Sequence, residues 1–252
     1  MKRFGLIGHP VGHSQSPALF RARAAELGNT DSSYELFDLP AISDFPQFVS
    51  DHPEIEGLNV TVPHKQSIIP FLASLSHEAE RIGAVNTLEK TKDGWVGHNT
   101  DAWGFQRSIQ PFLTRHHERA LVLGTGGSAA AVKFVLGNLG IDVVLVSRQT
   151  GKAESKEHPV IGYEDLNAWV LKHHRLVVDC TPLGMSPLEK QFAPLPFDAM
   201  GEHHLVVDLV YNPEVTELLR LAKQAGASTM NGRDMLRLQA EKAWEIWGAF
   251  GM

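Results

Sequence analysis

The chain has 252 residues, enough for one large or two modest domains, each with its own core. Hydrophobic residues make up 43% and charged residues 21%, ordinary for a globular protein, and the formal net charge of −6 leaves no basic excess to neutralise nucleic-acid phosphates. A lone cysteine, Cys180, excludes an internal disulfide and a cysteine-based zinc cluster, and no apolar run approaches the ~20 residues that span a bilayer.

The amino terminus reads as a strand that begins at once rather than as a signal peptide, so we expect a cytoplasmic protein. Phe4 to Ile7 is a buried strand stopped by Gly8 and Pro10. Ser16 can cap a helix with Pro17 in its first turn, running through Leu27. Tyr34 to Leu39 is a second strand, Phe45 to Val49 a short helix, and Leu58 to Val62 a third strand ending at Pro63. Helical patterns follow through Phe71-Leu72 and Glu78 to Ile82. Val85 to Glu89, a turn at Lys92-Asp93-Gly94, and Trp95 to Gly97 form a hairpin.

A second α/β unit starts near Asp101, with a bridging helix from Ala102 to Leu113. Ala120 to Leu123, Ser128 to Leu139 and Ile141 to Val146 then make a strand, a helix and a strand. Leu176 to Asp179 and Leu205 to Leu209 are further strands, with a helix from Glu214 to Ala225. The last helix, Asp234 to Trp247, carries Met235, Leu238, Ala243 and Ile246 on or near one face. Cys180 follows an apolar run and reads as a buried structural thiol.

Between the first strand and helix of the second unit, Gly124-Thr125-Gly126-Gly127-Ser128-Ala129 fits the G-x-G-x-x-G/A pattern. Gly124 permits the tight turn, Gly126 lets backbone approach a pyrophosphate, and Ala129 allows close helix–strand packing. The helix amino terminus then offers unpaired N–H groups to phosphates. After the next strand comes Ser147-Arg148-Gln149, with Lys152 shortly beyond and no carboxylate for a ribose 2′-hydroxyl. A guanidinium can hold a 2′-phosphate by bidentate, charge-assisted bonds, which favours NADP over NAD.

The first unit carries the polar groups. Ser14 and Ser16 at the start of a helix can bind a carboxylate, or Ser16 can simply cap that helix. In Asn59-Val60-Thr61-Val62-Pro63-His64-Lys65, alternation places Asn59 and Thr61 on one face, either facing a polyol or facing solvent. Lys65 can donate a proton to a carbonyl oxygen or stabilise an alkoxide. Asp101, in Gly97-His98-Asn99-Thr100-Asp101, would favour its ammonium form and so the donor role. None of the histidines, His9, His13 and His64 near this site or the pairs at 116–117, 173–174 and 203–204, has zincin spacing, and no metal site is expected. A polar cluster with a proton carrier ahead of a dinucleotide turn suggests an oxidoreductase for a small, hydroxyl-rich molecule.

Together the motifs resemble the shikimate dehydrogenase family. The likeness is carried by Ser14-Gln15-Ser16-Pro17, Asn59 to Lys65, Gly83 to Thr87, Asn99-Thr100-Asp101 and Gly124 to Ala129. It continues through Thr181 to Met185, Asp208 to Pro213 and Asn231-Gly232 to Gln239, in order along nearly the whole chain. The resemblance implies two α/β domains: residues 1–101 as an N-terminal substrate domain and 102–231 as a Rossmann-like NADP-binding domain, with 232–252 a helix returning to the first. It implies NADPH-dependent reduction of 3-dehydroshikimate to shikimate by Lys65 and Asp101. It assigns the substrate's carboxylate and hydroxyls to Ser14, Ser16, Asn59, Thr61, Asn86, Tyr211 and Gln239. It assigns the cofactor to Gly124, Thr125, Gly126, Gly127, Ser128, Ala129, Ser147, Arg148, Gln149, Leu209 and Gly232. A monomer or homodimer with a small-molecule substrate, and with neither nucleic acid nor membrane as partner, fits this picture.

Three departures stand out. Ser147-Arg148-Gln149 replaces the family's frequent Asn-Arg-Thr, and only Lys152 represents the basic residue that follows. Asp234 stands where a small glycine is common, near the expected nicotinamide position. The rivals are a quinate and shikimate dehydrogenase of broader cofactor use, a generic reductase, and a non-catalytic binding protein.

Overall fold

The computed structural model describes residues 2–149 and 159–251, so Lys152 lies outside the described residues. The chain divides into two compact units, Met1–Trp103 with Arg237–Met252, and Gly104–Leu236.

The first unit holds β1 (Lys2–Gly8), α1 (Ser16–Glu26), β2 (Ser32–Asp38), α2 (Phe45–Asp51), β3 (Ile55–Val60), β4 (Ser74–Leu75), α3 (His77–Ile82), β5 (Thr87–Thr91) and β6 (Gly94–His98). Its sheet runs β2-β1-β3-β5-β6-β4. The first three strands are parallel, while β3, β5 and β6 are antiparallel neighbours. Parallel β1 is buried on both faces, so its apolar residues divide by the period of two. Phe4 and Leu6 pack in one apolar cluster and Ile7 in the other.

The chain's final helix, α8 (Arg233–Ile246), closes the Phe4 side. Ala240, Ala243, Trp244 and the following Trp247 are buried there, so the packed face differs from the expected Met235-Leu238-Ala243-Ile246 set, of which only Ala243 belongs to this cluster's buried residues. Trp247 stacks on Phe4 with centroids 5.0 Å apart, and its Nε1 donates to the Leu88 carbonyl at 2.9 Å. A Cβ on Gly57 would meet the Trp247 ring at 2.5 Å, so only glycine leaves room for the indole. These contacts fix the register of α8 and with it the position of Gln239, two turns earlier.

In the first unit the ends of β3 and α1 depart from expectation, and the bridging helix, expected over Ala102 to Leu113, runs from Thr100 to Ile109. β3 stops at Val60 rather than Val62, because the chain turns at once, His64 N–H donating to the Thr61 carbonyl at 2.9 Å; Val62 is consequently 65% exposed. Ser16 is the first residue of α1 rather than its cap; Gln15 holds the cap position without a side-chain bond.

The second unit contains the end of α4 (Thr100–Ile109), β7 (Arg119–Leu123), α5 (Gly127–Asn138), β8 (Asp142–Val146), β9 (Val160–Ile161), α6 (Ala168–His173), β10 (Leu176–Asp179), β11 (Leu205–Asp208), α7 (Glu217–Gln224) and β12 (Ser228–Asn231). All six strands are parallel, in the order β12-β11-β10-β7-β8-β9. The order runs outward in both directions from β7 and β10, a doubly wound sheet whose switch point lies at the carboxyl end of β7. The runs Ala120 to Leu123 and Leu176 to Asp179 are buried throughout, as strands covered on both faces require. The short, polar or edge elements β4, β9, α6 and β12 have no clear signal in the sequence. α7 starts three residues later than expected because Thr216 caps it, accepting from Leu219 N–H. Among the described residues, no helix is long and apolar enough to cross a membrane.

Candidate active site

The polar groups of the first unit form one connected network. Lys65 lies just beyond the turn that ends β3, and Asp101 in the first turn of α4. Lys65 Nζ donates to Asp101 Oδ2 at 2.6 Å. Both side chains are largely buried, with the lysine 13% and the aspartate 7% exposed, so the ammonium remains within reach of a small molecule. Asp101 Oδ1 accepts from Asn86 Nδ2 at 2.9 Å. Asn86 sits immediately before β5, and its Oδ1 accepts from the Thr100 N–H at 2.7 Å. Gln239, from α8, places Oε1 3.4 Å from both Asn86 Nδ2 and Thr100 Oγ1.

Asn59, at the end of β3, extends the network in the other direction. Its Nδ2 donates to the Asn86 carbonyl and to Thr87 Oγ1, both at 3.1 Å, and its Oδ1 accepts from the Tyr34 hydroxyl at 2.7 Å. Burial pushes the Tyr34 phenol far above its usual range, while a hydrogen bond with the Ser16 side chain works against that shift. Ser14 Oγ donates to Ser16 Oγ at 3.1 Å and accepts from the Ser16 N–H at 3.2 Å. The Ser16 hydroxyl thus belongs to the network and not to a helix cap.

Ser14, Ser16, Asn59, Lys65, Asn86, Asp101 and Gln239 are therefore brought into one chain of hydrogen bonds within the first unit. Thr61 lies just past β3, half-buried, with its N–H donating to the Ile7 carbonyl. Tyr211 belongs to the second unit, two residues beyond Leu209. Tyr34, Thr87 and Thr100 complete the network but were not picked out from the sequence. Tyr34 sits in a strand where a tyrosine reads as core. Thr87 and Thr100 lie within Gly83 to Thr87 and Asn99-Thr100-Asp101, and only their contacts distinguish them.

His64 is buried and its Nε2 pairs with the Leu39 carbonyl at 2.6 Å, while His9 Nδ1 pairs with Asp38 at 3.0 Å. Both roles are structural, and among the described residues no group of histidine, cysteine and carboxylate side chains could hold a metal ion.

In the second unit the glycine turn joins β7 to α5. Gly124 adopts φ of +104°, which an L side chain rarely takes. Ala129 is buried against the sheet. A Cβ added to Gly126 meets nothing within 4 Å, and Gly126 caps α5 without any side-chain bond. Open space in front of an uncapped helix start is what a dinucleotide's pyrophosphate needs, so the residues fit that group. Thr125 is exposed, Gly127 begins α5 and Ser128 follows, half-buried. Ser147 and the exposed Arg148 and Gln149 follow β8, with Gln149 N–H donating to Ser147 Oγ at 3.1 Å. Leu209 follows β11, and Gly232 follows β12 with its N–H on the Val210 carbonyl. Asp234 is exposed in the first turn of α8. Cys180 directly follows β10 and is half-buried, not buried as expected, because the strand finishes at Asp179.

Residues 6–88 match the family described as the shikimate dehydrogenase substrate binding domain. A shikimate dehydrogenase (NADP(+)) of Desulforamulus reducens is 37% identical, with 98% of this chain and 89% of that protein aligned. A solved shikimate 5-dehydrogenase of Thermus thermophilus, in complex with NADP(H) and shikimate, is 34% identical with a TM-score of 0.86, covering 99% of this chain and 94% of that one. A quinate dehydrogenase of Corynebacterium glutamicum in complex with NAD is 28% identical with a TM-score of 0.85, covering 98% and 93%.

Proposed function

The chain belongs to the shikimate dehydrogenase family, and from that premise we propose that it catalyses the reversible NADPH-dependent reduction of 3-dehydroshikimate to shikimate, a step toward chorismate and the aromatic amino acids. The observation that carries the reading is the Lys65–Asp101 pair, 2.6 Å apart and set among amides and hydroxyls suited to a polyol. When bound, NADPH supplies the hydride. Lys65 gives its proton to the carbonyl oxygen as the alcohol forms, and takes it back in the reverse direction. Asp101 holds the ammonium in place and balances its charge, while Asn86 fixes the carboxylate through its other oxygen. Ser14 and Ser16 receive the substrate carboxylate, and Asn59, Thr61, Asn86, Gln239 and Tyr211 its hydroxyls.

The first unit is then the substrate domain and the second the NADP domain. Gly124 to Ala129 takes the pyrophosphate, Ser147 to Gln149 the 2′-phosphate, and Leu209 and Gly232 line the remainder. We place the enzyme in the cytoplasm, in keeping with an amino terminus that reads as a strand rather than a signal peptide. Broader use of quinate or NAD is the alternative raised by the quinate dehydrogenase likeness. Arg148, exposed at the end of β8 with no carboxylate in its place, argues for the phosphorylated cofactor.

The test is initial-rate spectrophotometry with shikimate and quinate, each against NADP and NAD. Turnover confined mainly to shikimate with NADP supports the proposal. Comparable rates with quinate or NAD move the chain to the alternative, and no turnover in any combination leaves a binding protein.

A further inference from the structure

The neighbouring strands β10 and β11 both end in aspartate. Asp179 and Asp208 are register partners in the parallel pair, so their backbones lie about 5 Å apart and their side chains leave the same face of the sheet. Asp179 is 1% and Asp208 0% exposed. One oxygen of each accepts from the backbone N–H two residues on: Asp179 Oδ1 from Thr181 at 2.8 Å, Asp208 Oδ1 from Val210 at 2.9 Å. Each carboxyl therefore shapes the first turn of the loop after its strand.

Their second oxygens differ. Asp208 Oδ2 accepts from the Thr216 hydroxyl at 2.6 Å. Asp179 Oδ2 is buried without a hydrogen-bond partner among the described residues. An ionised oxygen in that position, beside a second carboxylate, would lack both water and a donor. Burial, then Asp208, push Asp179 up to about 7, the Thr181 N–H and side chain only partly opposing. Burial lifts Asp208 to about 6 against its Thr216 and Val210 donors. Among the described residues, no cation contributes to the shift of Asp179. Tyr163, after β9, is itself pushed up to about 12 by burial and by Asp179, and Arg148 acts on that phenol in the opposite direction. Cys180 also acts on that phenol, raising it.

The loops held by these carboxyls adjoin the glycine turn. A Cβ on Gly124 would lie 3.6 Å from the Cys180 backbone and from Thr181 Cγ2, so the loop after Asp179 rests directly on the first glycine. Leu209 N–H donates to the Asp179 carbonyl at 3.0 Å, and Gly232 N–H to the Val210 carbonyl at 3.1 Å, joining the second loop to the same floor.

We propose that Asp179 is a positioning residue for the cofactor, a neutral carboxylic acid that seats the Thr181–Met185 loop against the glycine turn, and whose ionisation loosens that loop and weakens NADPH binding. The proposal rests on the NADPH reading above. Ionisation sets two carboxylates side by side in a dry site, and although the Thr181 N–H bonds the ionised form more strongly, the repulsion is relieved by displacing the side chain and the loop it holds. Asparagine keeps the Oδ1 acceptor and carries no charge at any pH, so Asp179→Asn reproduces the seated state, whereas Asp179→Ala removes the acceptor.

The experiment is a fluorescence titration of the full chain with NADPH at pH 6 and pH 8.5. The wild type should bind roughly tenfold more weakly at the higher pH, after division by the pH change shown by Asp179→Asn, which removes contributions from every other titrating group. Asp179→Asn should match the wild-type affinity at pH 6, and Asp179→Ala should bind weakly at both. An asparagine variant as weak as the alanine variant, or one with the wild-type pH slope, overturns the proposal.

Failure of the wild type to bind NADPH at either pH would indict the functional reading instead, and melting curves then decide the state of Asp179. Its folded value is raised above the ordinary 3.8, so the stability it contributes is complete below about pH 4 and is lost as pH rises through about 7. Asp179→Asn should therefore gain melting temperature over the wild type between pH 5 and pH 8.5; parallel curves would refute the neutral acid.

Discussion

Lys65→Met should cut turnover sharply and lower stability for separable reasons. Methionine keeps the length of the side chain and removes the ammonium, leaving the buried Asp101 carboxylate to the amide of Asn86. Removing one member of a buried ion pair costs about 3–5 kcal/mol, because the remaining charge keeps its desolvation penalty without its counter-charge. Lys65 is 13% exposed, so some solvent reaches the pair and the lower end of that range applies. At about 2–4 °C per kcal/mol for a chain of this size, the melting temperature should fall by roughly 6–12 °C. The rate should fall by about 10²–10⁴, the usual contribution of a positioned proton donor. A second substitution in the same molecule, Asp101→Asn, removes the orphaned charge and should restore most of the lost stability without restoring turnover. Differential scanning fluorimetry and initial rates on the two single variants and the double variant complete the cycle. Retained turnover in Lys65→Met, or recovery of rate alongside stability in the double variant, would refute the assignment of Lys65 as proton carrier.

Three further outcomes test the network and the cofactor turn. Tyr34→Phe leaves Asn59 Oδ1 without its 2.7 Å donor in a buried site, so stability should fall by about 1–3 kcal/mol. Because Asn59 and Ser16 are both released, the KM for shikimate should rise while kcat changes little; an unchanged KM would remove Tyr34 from the binding network. Gly126→Asp places a carboxylate in open space, so the melting temperature should hold while NADPH affinity drops at least tenfold through like-charge repulsion, about 1.4 kcal/mol or more. Equal affinity, measured by the same titration, would show that the phosphates lie elsewhere. Arg148→Ala should cost about 1.5–3 kcal/mol in NADP binding and leave NAD almost unaffected, so parallel losses for the two cofactors would exclude a 2′-phosphate contact.

How much was legible beforehand differs by kind of signal. The glycine turn could be read because its chemistry is local: Gly124 needs a positive φ, and the flanking Leu121 to Leu123 and the α5 pattern supply strand and helix within a few residues. The chain order of Lys65 and Asp101 was visible, and their motifs supported a family resemblance that the comparisons bear out. Short edge elements such as β12 and β9 left no periodic trace, since four or fewer residues cannot establish one.

The sequence by itself determined the α/β class, the glycine turn between a strand and a helix and the presence of a lysine and an aspartate in polar motifs, because each depends on residues close along the chain. Only the tertiary structure decided that Tyr34 joins Ser16 to Asn59, that Gln239 reaches Asn86 from a helix 153 residues away, and that Trp247 seated over Gly57 sets where that helix lies. It alone also put Asp179 beside Asp208 with one oxygen unpaired. The physical reason is the same in each case. Hydrogen bonding, burial and repulsion depend on distance in space, and strand order and helix register set those distances without writing them into any local pattern.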